Sequence, residues 1–320
     1  MSNLFIVGNG FDVDHGMKTK YKYFHKFLQE KYELTDEDEC YLDKSFDFIQ
    51  DNYGDSSPTE REIARLFCGL VSKLENYDFW KDVEHDIGLF DYSECFDEAC
   101  YPKTDMDDKY DRQRTHAIFN AEDRANEIYL VLNDIEPILR RWIETVRING
   151  KDVNHLFESL INSNKDLFLN FNYTMTLERL YKCKNVCHIH GCVDCNEKLI
   201  IGHGNDEIDF YNDKHLPDSL EARSTLEELQ KKLRKNTDEA IWKNKSFFEL
   251  IKNSDITQIY SYGFSFSEID LPYIEHICKC LDTSNVTWYL NDFNNEDDKN
   301  EFKKRIIQSG FKGSFDAFSV

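Results

Sequence analysis

The feature that most constrains the fold is a short apolar run at residues 4–7, followed at once by Gly8-Asn9-Gly10. Such a run, partly β-branched and ended by glycine, is typical of a strand buried in a parallel sheet. Glycines after a strand let backbone N–H groups approach a phosphate closely, and a helix that begins there adds its positive dipole end. The full G-x-G-x-x-G pattern is missing, because the next glycine is Gly16. The segment therefore indicates either a nucleotide-binding loop or a tight turn.

The next runs that resemble strands come much later in the chain, and each ends at Gly, Asn or a charged turn. They lie at residues 167–171, 186–190, 199–201, 256–262 and 286–290. Helix-like stretches alternate with them, at 176–182, 226–234, 245–253, 269–281 and 296–308. Strands that alternate with helices predict an α/β fold with a Rossmann-like, mostly parallel sheet.

The region between the first strand and the others differs, because its apolar residues recur at helical spacing. The helix-like stretches are 21–31, 45–51, 59–74 and 120–146, and the last carries a stripe that predicts core packing: Ile128, Val131, Leu132, Ile135, Ile138 and Leu139. We therefore expect a helical insertion subdomain at residues 19–162. Residues 1–18 and 163–320 are expected to form the α/β nucleotide-binding core.

The charge and the apolar pattern limit the classes of function. The chain has 61 acidic and 39 basic residues and a net charge of −22, which disfavours non-specific binding to nucleic acid. No apolar run approaches the roughly 18 residues of a membrane span, and the first residues do not resemble a signal peptide. We expect a cytoplasmic protein whose ten cysteines are mostly reduced thiols.

Asn172 follows the predicted strand at 167–171, at the edge of the sheet where open α/β folds bind ligands. Its side chain is suited to hydrogen-bonding a ribose hydroxyl or to holding a water molecule. The other interpretation is that Asn172 caps the helix that begins near Thr176.

His190 ends the predicted strand at 186–190, directly before Gly191. Side-chain alternation along a strand predicts that His188 and His190 share a face. A histidine at this edge can accept a proton near neutral pH, as a general base must. A histidine in the core or on the surface is the alternative.

The segment from Gly263 to Asp270 follows the predicted strand at 256–262. Gly263 and Ser265 are candidates to line a nucleotide pocket, whereas Ser267 and Asp270 have the spacing of a helix cap. Because the carboxyl ends of parallel strands meet at one edge, all these loops are expected to converge there.

These motifs, in this order, resemble the AbiH family of bacteriophage abortive-infection proteins. The resemblance extends over nearly the whole chain, and it implies an antiphage effector. The residues that carry it are 4–12, His15-Gly16, Thr19, Tyr21, Phe24, Trp80-Lys81-Asp82-Val83-Glu84, Phe171-Asn172-Tyr173-Thr174, His188-Ile189-His190-Gly191, Gly202-His203-Gly204 and 263–270.

The same order also resembles, remotely, the sirtuin pattern of a glycine loop, a later Asn, a His-Gly pair and a Gly-x-Ser segment. The resemblance implies that the protein is an NAD+ glycohydrolase in which NAD is the substrate and His190 and Asn172 are catalytic. Thr174 stands where sirtuins have an Asp. The implied cofactor-binding residues are Gly8, Asn9, Gly10, Phe11, Asp12, Gly263, Ser265 and Asp270.

Three alternatives remain open. A zinc site could form from Cys183, Cys187, Cys192 and Cys195, although reduced thiols are the simpler interpretation. The protein could be a non-catalytic nucleotide sensor that acts through a partner. A metal-dependent nuclease could use Asp78, Asp82 and Asp86, which recur at the four-residue spacing of a helix face. Apart from a nucleotide, the expected partners are further copies of the chain or a phage-derived trigger.

Overall fold

The chain divides by its internal contacts into two compact units. The first comprises Met1–Lys20, Ile143–Ile200 and Asn236–Val320, and the second comprises Tyr21–Trp142 and Ile201–Lys235. The predicted domain boundaries stay a prediction, because proximity alone does not show which segments fold independently. The computed structural model describes residues 2–50, 54, 56–73, 87–101, 109–148, 150–204, 209–293 and 295–320.

The first unit contains a six-stranded sheet in which all neighbouring strands are parallel. The strands are β1 (Ser2–Val7), β4 (Leu167–Asn170), β5 (Asn185–His188), β6 (Ile256–Tyr262), β7 (Thr287–Asn291) and β8 (Ser314–Phe318). Their order in the sheet is β5-β4-β1-β6-β7-β8, which is 3-2-1-4-5-6 when only these six strands are counted along the chain. This is the order of dinucleotide-binding folds, so the predicted Rossmann-like α/β fold is confirmed.

The strand β1 lies at the centre of this sheet and is buried on both faces. Leu4 and Ile6 pack into one apolar cluster, whereas Phe5 and Val7 pack into another, as the alternation of a strand requires. All four side chains are fully buried. Each such burial contributes roughly 1.5–3 kcal/mol, which explains why the strand is apolar throughout rather than alternating.

Helices surround the sheet in the first unit, and several begin with a side-chain cap. Asn154 accepts hydrogen bonds from the backbone N–H groups of Leu156 and Phe157, and Asn295 accepts one from Asp298. The helices are α1 (Asn9–Asp14), α7 (His155–Leu160), α8 (Thr176–Tyr181), α10 (Thr237–Lys243), α11 (Lys245–Lys252), α12 (Leu271–Cys280) and α13 (Glu296–Gln308).

The second unit is mainly helical, as predicted for the insertion. The apolar stripe from Ile128 to Leu139 is buried along its length, which confirms its role in core packing. None of the helices in the described ranges is both long and apolar enough to cross a membrane. The elements are α2 (Tyr21–Tyr32), α3 (Asp36–Cys40), β2 (Phe48–Gln50), β3 (Ser56–Pro58), α4 (Glu60–Ser72), α5 (Lys109–Asn133), α6 (Ile135–Glu144, which continues into the first unit) and α9 (Leu220–Lys232).

Two local predictions are wrong. The stretch at 45–51 was expected to be helical, but Phe48–Gln50 is a strand that pairs antiparallel with Ser56–Pro58. The stretch at 199–201 forms no strand, and Ile200 donates its N–H to the carbonyl of His190 at 2.8 Å. Both stretches are too short for their apolar pattern to distinguish one element type from another.

The ends of β1 and β6 meet through glycines. Gly10 donates its N–H to the carbonyl of Gly263 at 2.9 Å. A Cβ atom on Gly263 would lie 2.1 Å from the backbone nitrogen of Phe11, and Gly263 has φ +65°. A Cβ on Gly8 would lie 2.6 Å from the carbonyl oxygen of Gly263. Only glycine allows the two loops to approach this closely.

We expect Gly263→Ala to destabilise the protein more than Gly150→Ala, and chemical denaturation measures both. Gly150 also has a positive φ, +81°, but nothing lies within 4 Å of the position that a methyl group would take there. The control substitution therefore lowers the free energy of unfolding only through the left-handed backbone conformation, by about 1–2 kcal/mol. Gly263→Ala adds an overpacking cost of about 1–3 kcal/mol. Equal losses in the two variants would contradict the close backbone contact.

Candidate functional site

The candidate site lies at the carboxyl edge of the sheet, where the loops after β1, β4, β5 and β6 begin. Neighbouring β1 and β6 are the point at which the strand order reverses. Open α/β sheets bind ligands in the crevice at such a switch point. The residues that the sequence singles out for the cleavage and binding of NAD lie in these loops or close to them.

The glycine loop uses its backbone N–H groups within the protein. Gly8 donates to the carbonyl of Tyr262 at 3.0 Å, Gly10 donates to Gly263, and Phe11 donates to the carbonyl of Gly8 at 3.0 Å. The sequence left open a nucleotide-binding loop or a tight turn, and the tight turn describes this conformation. A phosphate could use the N–H of Gly10 only after the two loops separate.

Asp12 is buried and connects α1 to the loop after β4. Its carboxyl group accepts hydrogen bonds from the hydroxyls of Thr174 and Thr176, the latter at 2.7 Å. Burial raises the pKa of Asp12 above its usual 3.8, although the two hydroxyls and the nearby His15 and His188 oppose this shift. A buried carboxyl group with a perturbed pKa is a feature of functional sites and also of structural networks.

Asn172 is buried and holds the glycine loop. Its side-chain amide donates to the carbonyl of Gly8 at 3.0 Å, and its backbone N–H donates to the side-chain oxygen of Asn170 at 3.1 Å. The residue at the N-cap of α8 is Met175, so Asn172 does not cap this helix. The structure therefore gives Asn172 a positioning contact to the loop after β1.

His188 and His190 do not share a face, contrary to the prediction, because β5 ends at His188 and the chain then turns. The Nδ1 atom of His188 lies 2.9 Å from the carbonyl of Asn172, and its Nε2 atom lies 2.8 Å from Glu178. A carbonyl only accepts hydrogen bonds, so Nδ1 carries a proton. His188 thus joins the loops after β4 and β5 to α8.

His190 is 3% exposed and lies beside a carboxyl group. Its Nε2 atom is 3.7 Å from Oδ1 of Asp270, and its ring packs edgewise against Phe171 and Tyr273. The other carboxyl oxygen of Asp270 accepts a hydrogen bond from the hydroxyl of Ser267 at 3.1 Å. The sequence assigned Asp270 to the cofactor but not to His190, because the two residues are far apart in the chain.

The other predicted cofactor-binding residues lie in the same loops. Asn9 is half-buried, and its side-chain amide donates to the carbonyl of Thr19 at 3.2 Å. Ser265 is half-buried between two aromatic residues of the core, Phe264 and Phe266. The loop after β6 is thus anchored on both sides of Ser265, which limits how far this serine can move alone.

The cysteines near His190 are not all reduced. Cys192 and Cys195 form a disulfide, with their Cα atoms 5.2 Å apart, so the prediction of reduced thiols is wrong for this pair. Burial raises the pKa of Cys183 and of Cys187 to about 12, and the thiol of Cys187 donates to Asn244 at 3.3 Å. The zinc site proposed for these four cysteines would require reduction of the disulfide, because the thiolate is the metal ligand.

The carboxylates of the nuclease alternative, Asp78, Asp82 and Asp86, lie outside the described residues. The same is true of the motif at residues 80–84.

The family model for bacteriophage abortive infection AbiH matches residues 4–292. The chain belongs to this family. No curated protein and no solved structure matches the chain. The matched span contains the loops after β1, β4, β5 and β6, from the glycine loop to Asp270, and membership indicates a role in phage abortive infection.

We expect Asp12→Asn to gain stability relative to the wild type as the pH rises above 3.8. The folded-state pKa is raised, so the stability that comes from protonated Asp12 is complete below 3.8 and is lost as the pH passes the folded-state pKa. The gain is about 1.4 kcal/mol for each unit by which the pKa is raised. Urea denaturation at several pH values measures it.

The control for this prediction is Asp152→Asn, which removes a carboxylate from an exposed position of the same unit. If the stability difference between Asp12→Asn and the wild type has the same pH dependence as that of the control, burial does not raise the pKa of Asp12.

Proposed function

We propose that the protein acts in phage abortive infection as an enzyme that cleaves the nicotinamide–ribose bond of NAD+. The observation that carries the proposal is the buried pair of His190 and Asp270, 3.7 Å apart, at the carboxyl edge of a sheet with the dinucleotide-binding strand order. A histidine next to a carboxylate is suited to take up a proton, because the carboxylate stabilises the imidazolium.

In the proposed reaction, the bond between C1′ of the ribose and the nicotinamide nitrogen breaks, and neutral nicotinamide leaves with the bonding electrons. The transition state resembles an oxocarbenium ion, so the protein mainly has to position the substrate and supply a base. Water then attacks C1′ and gives up its proton. Because Nε2 of His190 faces Asp270, the nitrogen that receives this proton is Nδ1.

Asn172 acts in this proposal as a positioning residue. Its amide donates to the carbonyl of Gly8, which fixes the glycine loop relative to the end of β4. The pyrophosphate of NAD+ would bind beside this loop. Substitution of Asn172 would then weaken substrate binding more than it slows the proton transfer from water to His190.

The site has to open before it can act. His190 is 3% exposed beneath Phe171 and Tyr273, and the N–H of Gly10 is bonded to Gly263. An effector that consumes a central cofactor must be inactive in uninfected cells, and a closed site satisfies this requirement. We therefore propose that the described conformation is the inactive one, and that a trigger during infection opens the loops after β1 and β6.

We expect His190→Ala to abolish the infection-dependent release of nicotinamide from NAD+. Loss of a general base slows a reaction by roughly 100-fold or more. The measurement is chromatography of NAD+, ADP-ribose and nicotinamide in extracts of infected cells that express each variant. His155→Ala is the control, because the side chain of His155 is 86% exposed and is paired with Glu158 outside the site.

Asp270→Asn is expected to retain intermediate activity, since it keeps the shape of the side chain but removes the charge that stabilises protonated His190. The proposal is wrong if NAD+ is lost equally in cells with the wild type and with His190→Ala. It is also wrong if the wild type protects cells from phage without any loss of NAD+.

The second candidate is a non-catalytic nucleotide sensor that acts through a partner. The engagement of the Gly8, Gly10 and Phe11 amides within the protein, together with the burial of His190, favours this candidate. A sensor would bind NAD+ in calorimetry without releasing nicotinamide, and His190→Ala would still protect cells from phage. The two candidates therefore predict opposite phenotypes for the same variant.

A further inference from the structure

We propose that the second unit holds a zinc ion through Nε2 of His25, the carboxylate of Glu39 and Sγ of Cys68. One ligand atom from each of the three side chains lies within 4.8 Å of the other two. Imidazole, carboxylate and thiolate are the three donor types that zinc uses in proteins. This cluster is separate from the cysteines near His190 and does not rest on the proposed NAD+ chemistry.

The three residues come from three different helices. His25 lies in α2, Glu39 in α3 and Cys68 in α4. The residue after Cys68 is Gly69, where a Cβ atom would lie 2.9 Å from the carbonyl oxygen of Glu39. The absence of a side chain at this position thus allows α4 to approach α3, and it brings the thiol near the carboxylate.

The distances suit a tetrahedral ion. Nε2 of His25 is 3.1 Å from each carboxylate oxygen of Glu39. In tetrahedral zinc sites, a nitrogen and an oxygen bound to the same ion are about 3.4 Å apart. The His–Glu edge is therefore nearly formed, and Sγ of Cys68 lies within 4.8 Å of both other ligand atoms.

The surroundings support these ligands. Gln29 donates from its side-chain amide to Oε1 of Glu39 at 2.9 Å, which orients the carboxylate, as outer-shell partners of metal ligands do. The ring of Tyr21 stacks on that of His25, with centroids 6.1 Å apart. Cys68 is fully buried, whereas the side chain of His25 is 19% exposed, so an ion can enter from the His25 side.

The ligand atoms of the three side chains determine which metal ion the site prefers. A thiolate and an imidazole favour zinc and related transition metals over Mg²⁺ and Ca²⁺, which prefer oxygen ligands. Among the described residues three side chains supply ligands, which leaves the fourth position to a water molecule, as in catalytic rather than structural zinc sites. The inferred ligand is therefore Zn²⁺, and Co²⁺ is a suitable spectroscopic probe for the same site.

The experiment titrates metal-free full-length protein with Zn²⁺ and Co²⁺, and it measures the bound metal by mass spectrometry and the sulfur-to-cobalt charge-transfer absorption. We expect one ion per chain in the wild type. Cys68→Ser should abolish the charge-transfer band, and His25→Ala should weaken binding. Gln29→Leu should weaken the binding of Zn²⁺ by roughly 10- to 100-fold, because it removes the hydrogen bond that orients the carboxylate ligand.

Cys95→Ser is the matched control, because Cys95 is an equally buried cysteine of the same unit that lies outside the cluster. The double variant Cys192→Ser/Cys195→Ser tests the other cysteine-rich site. The proposal is supported if both controls keep the ion and Cys68→Ser loses its charge-transfer band. It is overturned if the wild type binds no ion, or if only the double variant loses it.

Cys68→Ser is a substitution in the core, so its folding is checked by circular dichroism without metal. If this variant does not fold, the substitutions His25→Ala and Gln29→Leu at half-buried positions test whether the zinc site exists. Unchanged affinity in both of these folded variants overturns the site, whatever the result at Cys68.

Discussion

The contact on which the candidate site depends is the one between the backbones of Gly10 and Gly263. The two loops are separated by most of the chain, yet the N–H of one donates to the carbonyl of the other at 2.9 Å. A side chain on Gly263 would collide with the backbone of Phe11. Because the loop after β1 is fixed in this way, Asn172 can donate to Gly8 and Asp12 can accept from the threonines of the loop after β4. The ends of β1, β4 and β6 are thus held together by polar contacts that all involve the glycine loop or the start of α1.

This contact also gives the glycines of the loop a structural role. Their spacing alone fits a phosphate-binding loop, but here it serves close packing of the backbone, and the N–H of Gly10 is already bonded to Gly263. A hydrogen bond of this kind contributes about 0.5–1.5 kcal/mol net, so the opening of a few such bonds costs only a few kcal/mol. Differential binding of a ligand or a partner to the open state could supply this amount. Tight packing in the described conformation is therefore compatible with the proposed binding of a nucleotide to an open conformation of the same loop.

The sequence predicted the fold well where the elements are long or buried on both faces. The apolar run in β1 and the stripe from Ile128 to Leu139 each have one explanation, namely burial. The predictions for the short stretches at 45–51 and 199–201 were wrong because a few apolar residues do not define a period. In the site, positions at strand ends were predictable. Contacts between distant residues were not, and His190 with Asp270 is the clearest example, since no local pattern relates a histidine to a carboxylate in another loop.

The segment at 263–270 takes part in both of the contacts that close the site. Gly263 closes the glycine loop at one end of this segment, and Asp270 lies beside His190 at the other. Between them, Phe266 is fully buried, has φ +51°, and accepts a hydrogen bond at its carbonyl from Arg305 at 2.7 Å. A displacement of the whole segment would release the N–H of Gly10 and separate His190 from its carboxylate at the same time, and it would have to break the contact to Arg305. If instead Phe266 stays in place, the two ends can open independently. The anchor at Phe266 therefore determines whether the two ends of the segment open together, and in the proposed reaction it would couple the binding of the nucleotide to the proton transfer at His190.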